Sequence, residues 1–189
     1  MPPKVQITKE SIVSTAVALV RESGAAALNA RALAVALGCS TQPIFSNFSS
    51  MEELERETLA AAQGIYFDFI QKEIGSGKYP QYKAMGMAYI RFAKEEKELF
   101  KLLFMRDRTG EDHSPTVDFE ESVKIIMQVN GVTREAAVLM HLEMWSCVHG
   151  IGTMLATSFL ALDWELIGEM ISDIYQGIRA KHAGGEVKA

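Results

Sequence analysis

The chain has 189 residues, of which 48% are hydrophobic and 23% charged, and a net charge of −5, an ordinary balance for a soluble globular fold. No apolar run reaches the length of a membrane span and the N-terminal Met-Pro-Pro-Lys-Val-Gln-Ile-Thr lacks an apolar core, so no membrane partner and no secretory signal are expected and the compartment is read as cytoplasmic. Two distant cysteines, Cys39 and Cys147, make neither a disulfide framework nor a zinc motif, and the acidic total argues against non-specific attraction to phosphate.

That acid is unevenly spread. Residues 1–50 hold Lys4, Lys9, Arg21 and Arg31 against Glu10 and Glu22, a net +2, which leaves −7 for the remainder. Within this part, Thr8 precedes an apolar-periodic run of Ile12, Ala16, Leu19 and Val20 that stops at Gly24. Asn29 is a good helix cap, and Ala30, Leu33, Ala34 and Leu37 follow at helical spacing. Gly38 sits where a left-handed stop costs least. Ser40 or Thr41 opens a further helix with Pro43 in its first turn, where a missing N–H does little harm. Ile44 and Phe48 share one face of that helix, and Thr41, Gln42, Ser46 and Asn47 are left to point outward. Two short helices joined by a glycine turn, with hydrogen-bonding side chains on the outer face of the second, predict a helix-turn-helix. Ser50 and Glu53 then have the spacing of a capping box at the start of a long helix.

This first third resembles the DNA-binding domain of the TetR-like family of bacterial transcriptional regulators. The matching residues are Ile12, Ala16, Leu19, Glu22 and Gly24, then Arg31, Leu33, Ala34, Gly38 and Ser40, then Ile44, Phe45, Phe48, Ser50, Glu52 and Leu54. The resemblance implies that Thr41, Gln42, Pro43, Ser46 and Asn47 face the major groove of double-stranded DNA, with Arg31, Ser40 and Phe45 beside the phosphates. The chain departs from the family pattern in having Phe45 where a tyrosine is frequent and Met51 where a lysine is common. No Arg or Lys lies between Arg31 and Arg56.

After Ser50 a helix is expected to about Ile74, broken by Gly75-Ser-Gly77 and Pro80. Tyr82–Ala93 reads as a helix, Lys94–Lys97 as a bend, and Leu99–Met105 as an apolar helix; Arg106–Ser114, followed by Pro115, reads as a loop. Phe119–Val129 is amphipathic and stopped by Asn130-Gly131. Thr133 caps a long helix to about Ser158, Asp163 caps a last one to about Lys181, and Ala183–Ala189 looks frayed. The expected fold is all-α: a three-helix head over residues 1–49, then a larger helical domain over residues 50–189, with the nine-helix order that the resemblance implies.

On the last helix Trp164, Ile167, Ile171, Ile174 and Ile178 alternate at spacings of three and four, a seam for helix-on-helix packing, and Leu166 and Met170 add a second apolar edge. The preceding helix carries Gly150, Gly152, Met154 and Ala156. Family resemblance places the last two helices against those of a second copy, so a homodimer is expected, with Gly150, Met154, Trp164, Ile167, Ile171, Ile174 and Ile178 at the interface. A dimer supplies the paired heads that a two-fold operator requires.

No paired catalytic groups are present, and an enzyme is not expected. His141, Trp145 and His149 recur every four residues on one helix, but histidines eight apart with a tryptophan between them do not converge on a metal ion, and no cofactor is expected. Large adaptable side chains such as Tyr89, Phe92, Phe104, Met105 and Met127 come from several helices of the second domain. The resemblance implies an effector cavity among them, with His141, Trp145 and His149 in its lining. The function this predicts is an effector-responsive transcriptional repressor, released from its operator by a small apolar or aromatic ligand. The alternative, motivated by the charge-poor head, is a ligand-binding or interaction protein on the same scaffold with little DNA affinity.

Overall fold

Hydrogen bonds from short polar side chains decide where the first helices begin. Thr8 and Ser11 cap each other, Ser11 N–H donating to Thr8 Oγ1 at 3.2 Å and Thr8 N–H to Ser11 Oγ at 3.0 Å. Asn29 Oδ1 accepts from the amides of Arg31 and Ala32 at 3.1 and 3.0 Å. Each cap satisfies amides that a helix start leaves without partners. Gly38 adopts φ +64° after the second helix, the left-handed stop that its position predicts.

The computed structural model describes residues 7–111 and 117–183. Its helices are α1 (Lys9–Ser23), α2 (Ala30–Ala36), α3 (Gln42–Asn47), α4 (Met51–Gly75), α5 (Gln81–Glu95), α6 (Lys97–Phe104), α7 (Val117–Asn130), α8 (Arg134–Ala156) and α9 (Trp164–Ala183), with a short 3₁₀ turn at Ala25–Ala27. Among the described residues the fold is all-α, nine helices and no strand. The bend expected at Lys94–Lys97 is the α5–α6 break, with Glu96 outside helical geometry at φ −119°, ψ 54°. Of the expected loop at Arg106–Ser114, residues 112–114 lie outside the described residues, as do Pro115 and the frayed end beyond Ala183.

The chain packs into two compact units, Met1–Asp68 with Glu95–Arg106, and Phe69–Lys94 with Asp107–Ala189. The first unit has its own core. Ile12 and Ala16 of α1, Leu33 and Ala34 of α2, Ile44 of α3, Phe48, and Leu54 of α4 are buried together, with Leu19, Leu28 and Met51 packed against them. Helix α6 lies along α1 in this unit, and Arg21 forks onto Glu96 with Nε–Oε2 and Nη2–Oε1 distances of 2.7 and 3.0 Å.

Helix α4 starts with a variant of the expected capping box. Glu53 N–H donates to Ser50 Oγ at 3.3 Å, but the Glu53 carboxylate reaches one residue further back, accepting from both the amide and the hydroxyl of Ser49 at 2.7 Å. These two bonds, the hydroxyl first, hold Glu53 well below its ordinary 4.5, at about 2.

In the second unit α8 packs between α7 and α9. Val123, Ile126, Ala137 and Met140 form one buried cluster, flanked by Tyr82, Phe119, Met127, Tyr175 and Ile178. Lys83 of α5 fixes α9 by donating to Gly168 O at 3.0 Å and Ser172 Oγ at 2.7 Å. Arg91 pairs with the buried Glu73 at 3.0 Å and stacks on Trp164 with its guanidinium carbon 4.4 Å from the ring centre.

Two expectations follow for stability. Phe48→Ala should cost the chain about 3–5 kcal/mol in urea denaturation, as for a large aromatic truncated in a filled core. Because the Glu53 carboxylate is favoured in the fold, its contribution is present above pH 4.5 and lost as pH falls toward about 2. Melts between pH 5 and pH 2 should therefore show Glu53→Gln with a shallower acid loss than the native chain.

Candidate functional site

Helix α3 divides its side chains sharply between core and solvent. Ile44 is fully buried, with Phe48 just after the helix beside it, whereas Gln42, Phe45 and Ser46 are exposed, Phe45 to 51%. Ser46 Oγ donates back to Gln42 O at 2.9 Å. The Asn47 amide is not free for a ligand: its Nδ2 donates to Pro43 O at 2.8 Å and Ile7 O at 3.4 Å, tying α3 to the strand of chain before α1. Asn47 thus braces α3 through its side-chain NH2. Arg31 and Ser40 are exposed, Thr41 and Pro43 half-buried. Met51, where the family commonly has a lysine, packs against the buried cluster of the first unit.

The charge of this unit is more committed than its composition implies. Lys9 Nζ lies 2.9 Å from Glu57 Oε1 and 3.4 Å from Glu53 Oε1, and Arg21 is held by Glu96. Among the described residues of 7–50, Arg31 is the cation left without a carboxylate partner.

In the second unit two tyrosines of α5 meet two histidines of α8. Tyr82 Oη lies 2.9 Å from His141 Nδ1, and Tyr89 Oη lies 2.8 Å from His149 Nδ1. Burial pushes the Tyr82 hydroxyl up, with Tyr175 adding to it, and burial pushes both histidines down. Tyr82 thus keeps its proton and shares a hydrogen bond with a neutral His141, the donor being set by the tautomer of the ring. The first pair lies in an aromatic and polar cluster: Phe119 meets His141 edge-on at 4.9 Å, and Tyr175 shares hydrogen bonds with Asn130 at 2.9 and 3.3 Å. In the second pair Trp145 stacks on His149 at 5.4 Å and 27°.

The outer face of α8 is apolar as well. Leu139, Leu142 and Trp145 are 45%, 44% and 46% exposed, joined on α9 by Leu166. Ile167 and Ile171, expected at the partner-facing seam, are instead buried in the chain's own core. That is a correction with a simple cause: a helix carrying two apolar edges turns one inward, and the isoleucine edge is the one covered. Gly150, Met154, Ile174 and Ile178 are half-buried.

Residues 82–171 match the family model described as the tetracyclin repressor-like C-terminal domain. The chain carries a TetR-like C-terminal domain. The matched segment takes in both tyrosine–histidine pairs, all of α7 and α8, and the first part of α9. The TetR-like domain follows an N-terminal helical region consistent with a helix-turn-helix. No curated protein matches the sequence.

Of the residues expected to line an effector cavity, the TetR-like domain brings Tyr89, Trp145 and His149 together, and places His141 and Met127 around the separate Tyr82 cluster. Phe92 is fully buried and meets Phe69 edge-on at 5.4 Å. Phe104 and Met105 belong to the first unit. A surface groove of about 800 Å³ runs past Lys78, Tyr79, Lys83, Trp164, Gly168 and Ser172; none of the expected lining residues borders it. Sequence reasoning missed Tyr82, Asn130 and Tyr175. The spacing that points to Tyr82 is Tyr82 to Tyr89 on α5, seven apart, matched by His141 to His149 on α8, eight apart; no spacing points to Asn130 or Tyr175.

Among the described residues no helix is long and apolar enough to cross a membrane, and no group of three His, Cys, Asp or Glu side chains could hold a metal ion. Burial makes a prediction for titration. In NMR, His141 and His149 should titrate below the free-histidine value of about 6.5. Stability should be full above about pH 6.5 and fall below it, because the unfolded chain takes up protons that the fold resists.

Proposed function

We propose that the chain is a transcriptional repressor that binds a two-fold operator as a homodimer and leaves it when a small apolar or aromatic ligand occupies the second domain. Residues 1–49 act as the DNA-binding head and residues 50–189 as the effector and dimerisation domain. The observation that supports this best is the split face of α3, with Ile44 anchored in a core and Gln42, Phe45 and Ser46 outward, in a chain whose C-terminal domain is TetR-like. Thr41, Gln42, Pro43 and Ser46 meet the groove, Arg31 and Ser40 lie at its edge, and Phe45, expected beside the phosphates, shares the groove-facing side of α3 with Gln42.

The dimer reading rests on the outward apolar face. Leu139, Leu142 and Trp145 of α8 and Leu166 of α9 are large, exposed and close to the half-buried Gly150 and Met154 in sequence. Burying a leucine or aromatic side chain is worth about 1.5–3 kcal/mol, so a matched face on a second copy has a clear driving force. Half-buried Trp164, Ile174 and Ile178 flank this face at most, since Trp164 is already stacked on Arg91. For the effector, the Tyr89–His149–Trp145 group and the Tyr82–His141–Phe119 group offer aromatic walls with single polar contacts, the composition of small-molecule sites. A ligand acts by binding better to one head spacing than another, and its differential affinity sets the shift.

A second reading has its own support. With Lys9 and Arg21 held by carboxylates, the head attracts phosphate weakly, as in a ligand-binding protein with little DNA affinity.

Mobility shift on DNA flanking the chain's own gene separates the two. The repressor reading expects a retarded complex that an apolar or aromatic ligand dissolves; the rival expects none. Leu142→Glu with Leu166→Glu should give monomers in sedimentation and abolish the shift, because two unpaired charges would be buried in the interface. Trp145→Ala should alter ligand response while the fold, by circular dichroism, stays intact.

A further inference from the structure

The outward chemistry of α3 is narrow enough to say which bases it suits. We infer that the head reads A·T base pairs, so that the operator is A·T-rich where α3 meets the major groove. This rests on the DNA-binding reading above.

Residues 38–47, the turn and α3 together, contain no charged side chain. Guanine shows the major groove two acceptors, read most often by Arg or Lys, and cytosine shows a donor, read by Asp or Glu. None of these residue types is available in this stretch. Asn47, which could have contributed an amide, has it bound to Pro43 O and Ile7 O, and Ser46 gives its hydroxyl proton to Gln42 O.

What is left outward is Gln42 and Phe45. Gln42 is exposed and its side-chain amide makes no hydrogen bond among the described residues. A free carboxamide offers one donor and one acceptor side by side, the complement of adenine N7 and N6. Phe45, half exposed, has nothing to donate or accept. The base edge that rewards an apolar contact is thymine with its C5 methyl. Gln42 and Phe45 stand three apart on a six-residue helix, so they share a face and can address neighbouring base pairs. The hydroxyls of Ser40 and Thr41 discriminate little, because Ser and Thr pair with either kind of base. Two groups thus favour A·T, and none favours G·C.

The test is selection from a random duplex library by the full-length chain. The expected result is enrichment of two-fold sites whose contacted positions are A·T. Gln42→Ala should lose discrimination at one position per half-site by about five- to 150-fold, the factor carried by one bidentate base contact. Replacing thymine by uracil in the selected site should weaken the native chain by about fourfold, the worth of one buried methyl, and Phe45→Ala should be indifferent to that replacement. Enriched sites with G·C at the contacted positions would overturn the inference and leave DNA binding standing. Enrichment of no duplex at all would overturn the DNA-binding reading and this inference with it.

Discussion

Helix α8 is apolar on two sides, and one chain can cover only one of them. Met140, Met144, Val148, Ile151 and Leu155 turn inward and are buried, while Leu139, Leu142 and Trp145 are left nearly half exposed. The inner side builds the TetR-like domain by packing between α7 and α9. The outer side stays exposed and is the surface assigned above, as a proposal, to a second copy. The polar groups of α8 are placed where neither demand conflicts with them: His141 and His149 meet the α5 tyrosines, and Glu143 holds Lys181 and His182 of α9 at 2.9 and 3.3 Å. Because those histidines are kept neutral by burial, the hydrogen bonds that link α5 to α8 need no buried charge.

The first unit solves a different problem. A helix of six residues is too short to be stable alone, so α3 depends on being held from outside. Ile44 and Phe48 anchor it in the shared core, and the Asn47 amide reaches back to Ile7. The NH2 group of Asn47 is thus spent on rigidity. The same is true of charge, with Lys9 spent on α4 and Arg21 on α6. The head that results is firmly built and sparsely charged, so base contacts rather than phosphate attraction must carry a large share of any DNA affinity.

Much of this was legible from sequence because it is local. The Asn29 cap, the Gly38 stop, the buried pair Ile44 and Phe48, and the α5–α6 bend all follow from residues within a turn or two of one another. What was not legible depended on choices between alternatives that spacing leaves open. The last helix carries two apolar edges, and periodicity does not say which is covered; the isoleucine edge went inward and Leu166 stayed out. Asn47 looked outward because its partner, Ile7, is forty residues away. The tyrosine–histidine pairs join helices about sixty residues apart, and nothing within α5 or α8 alone announces them. Position 51 shows the same limit: Met51 sits at a helix start, yet its side chain has an apolar core to pack against.

The central claim is that two such chains stand on one operator. Native mass spectrometry of the full-length chain with a selected duplex measures this directly. The expected species is a complex of two 20.9 kDa chains on one duplex, with no stable one-to-one species. A complex holding a single chain, or a dimer that binds no duplex, would contradict it.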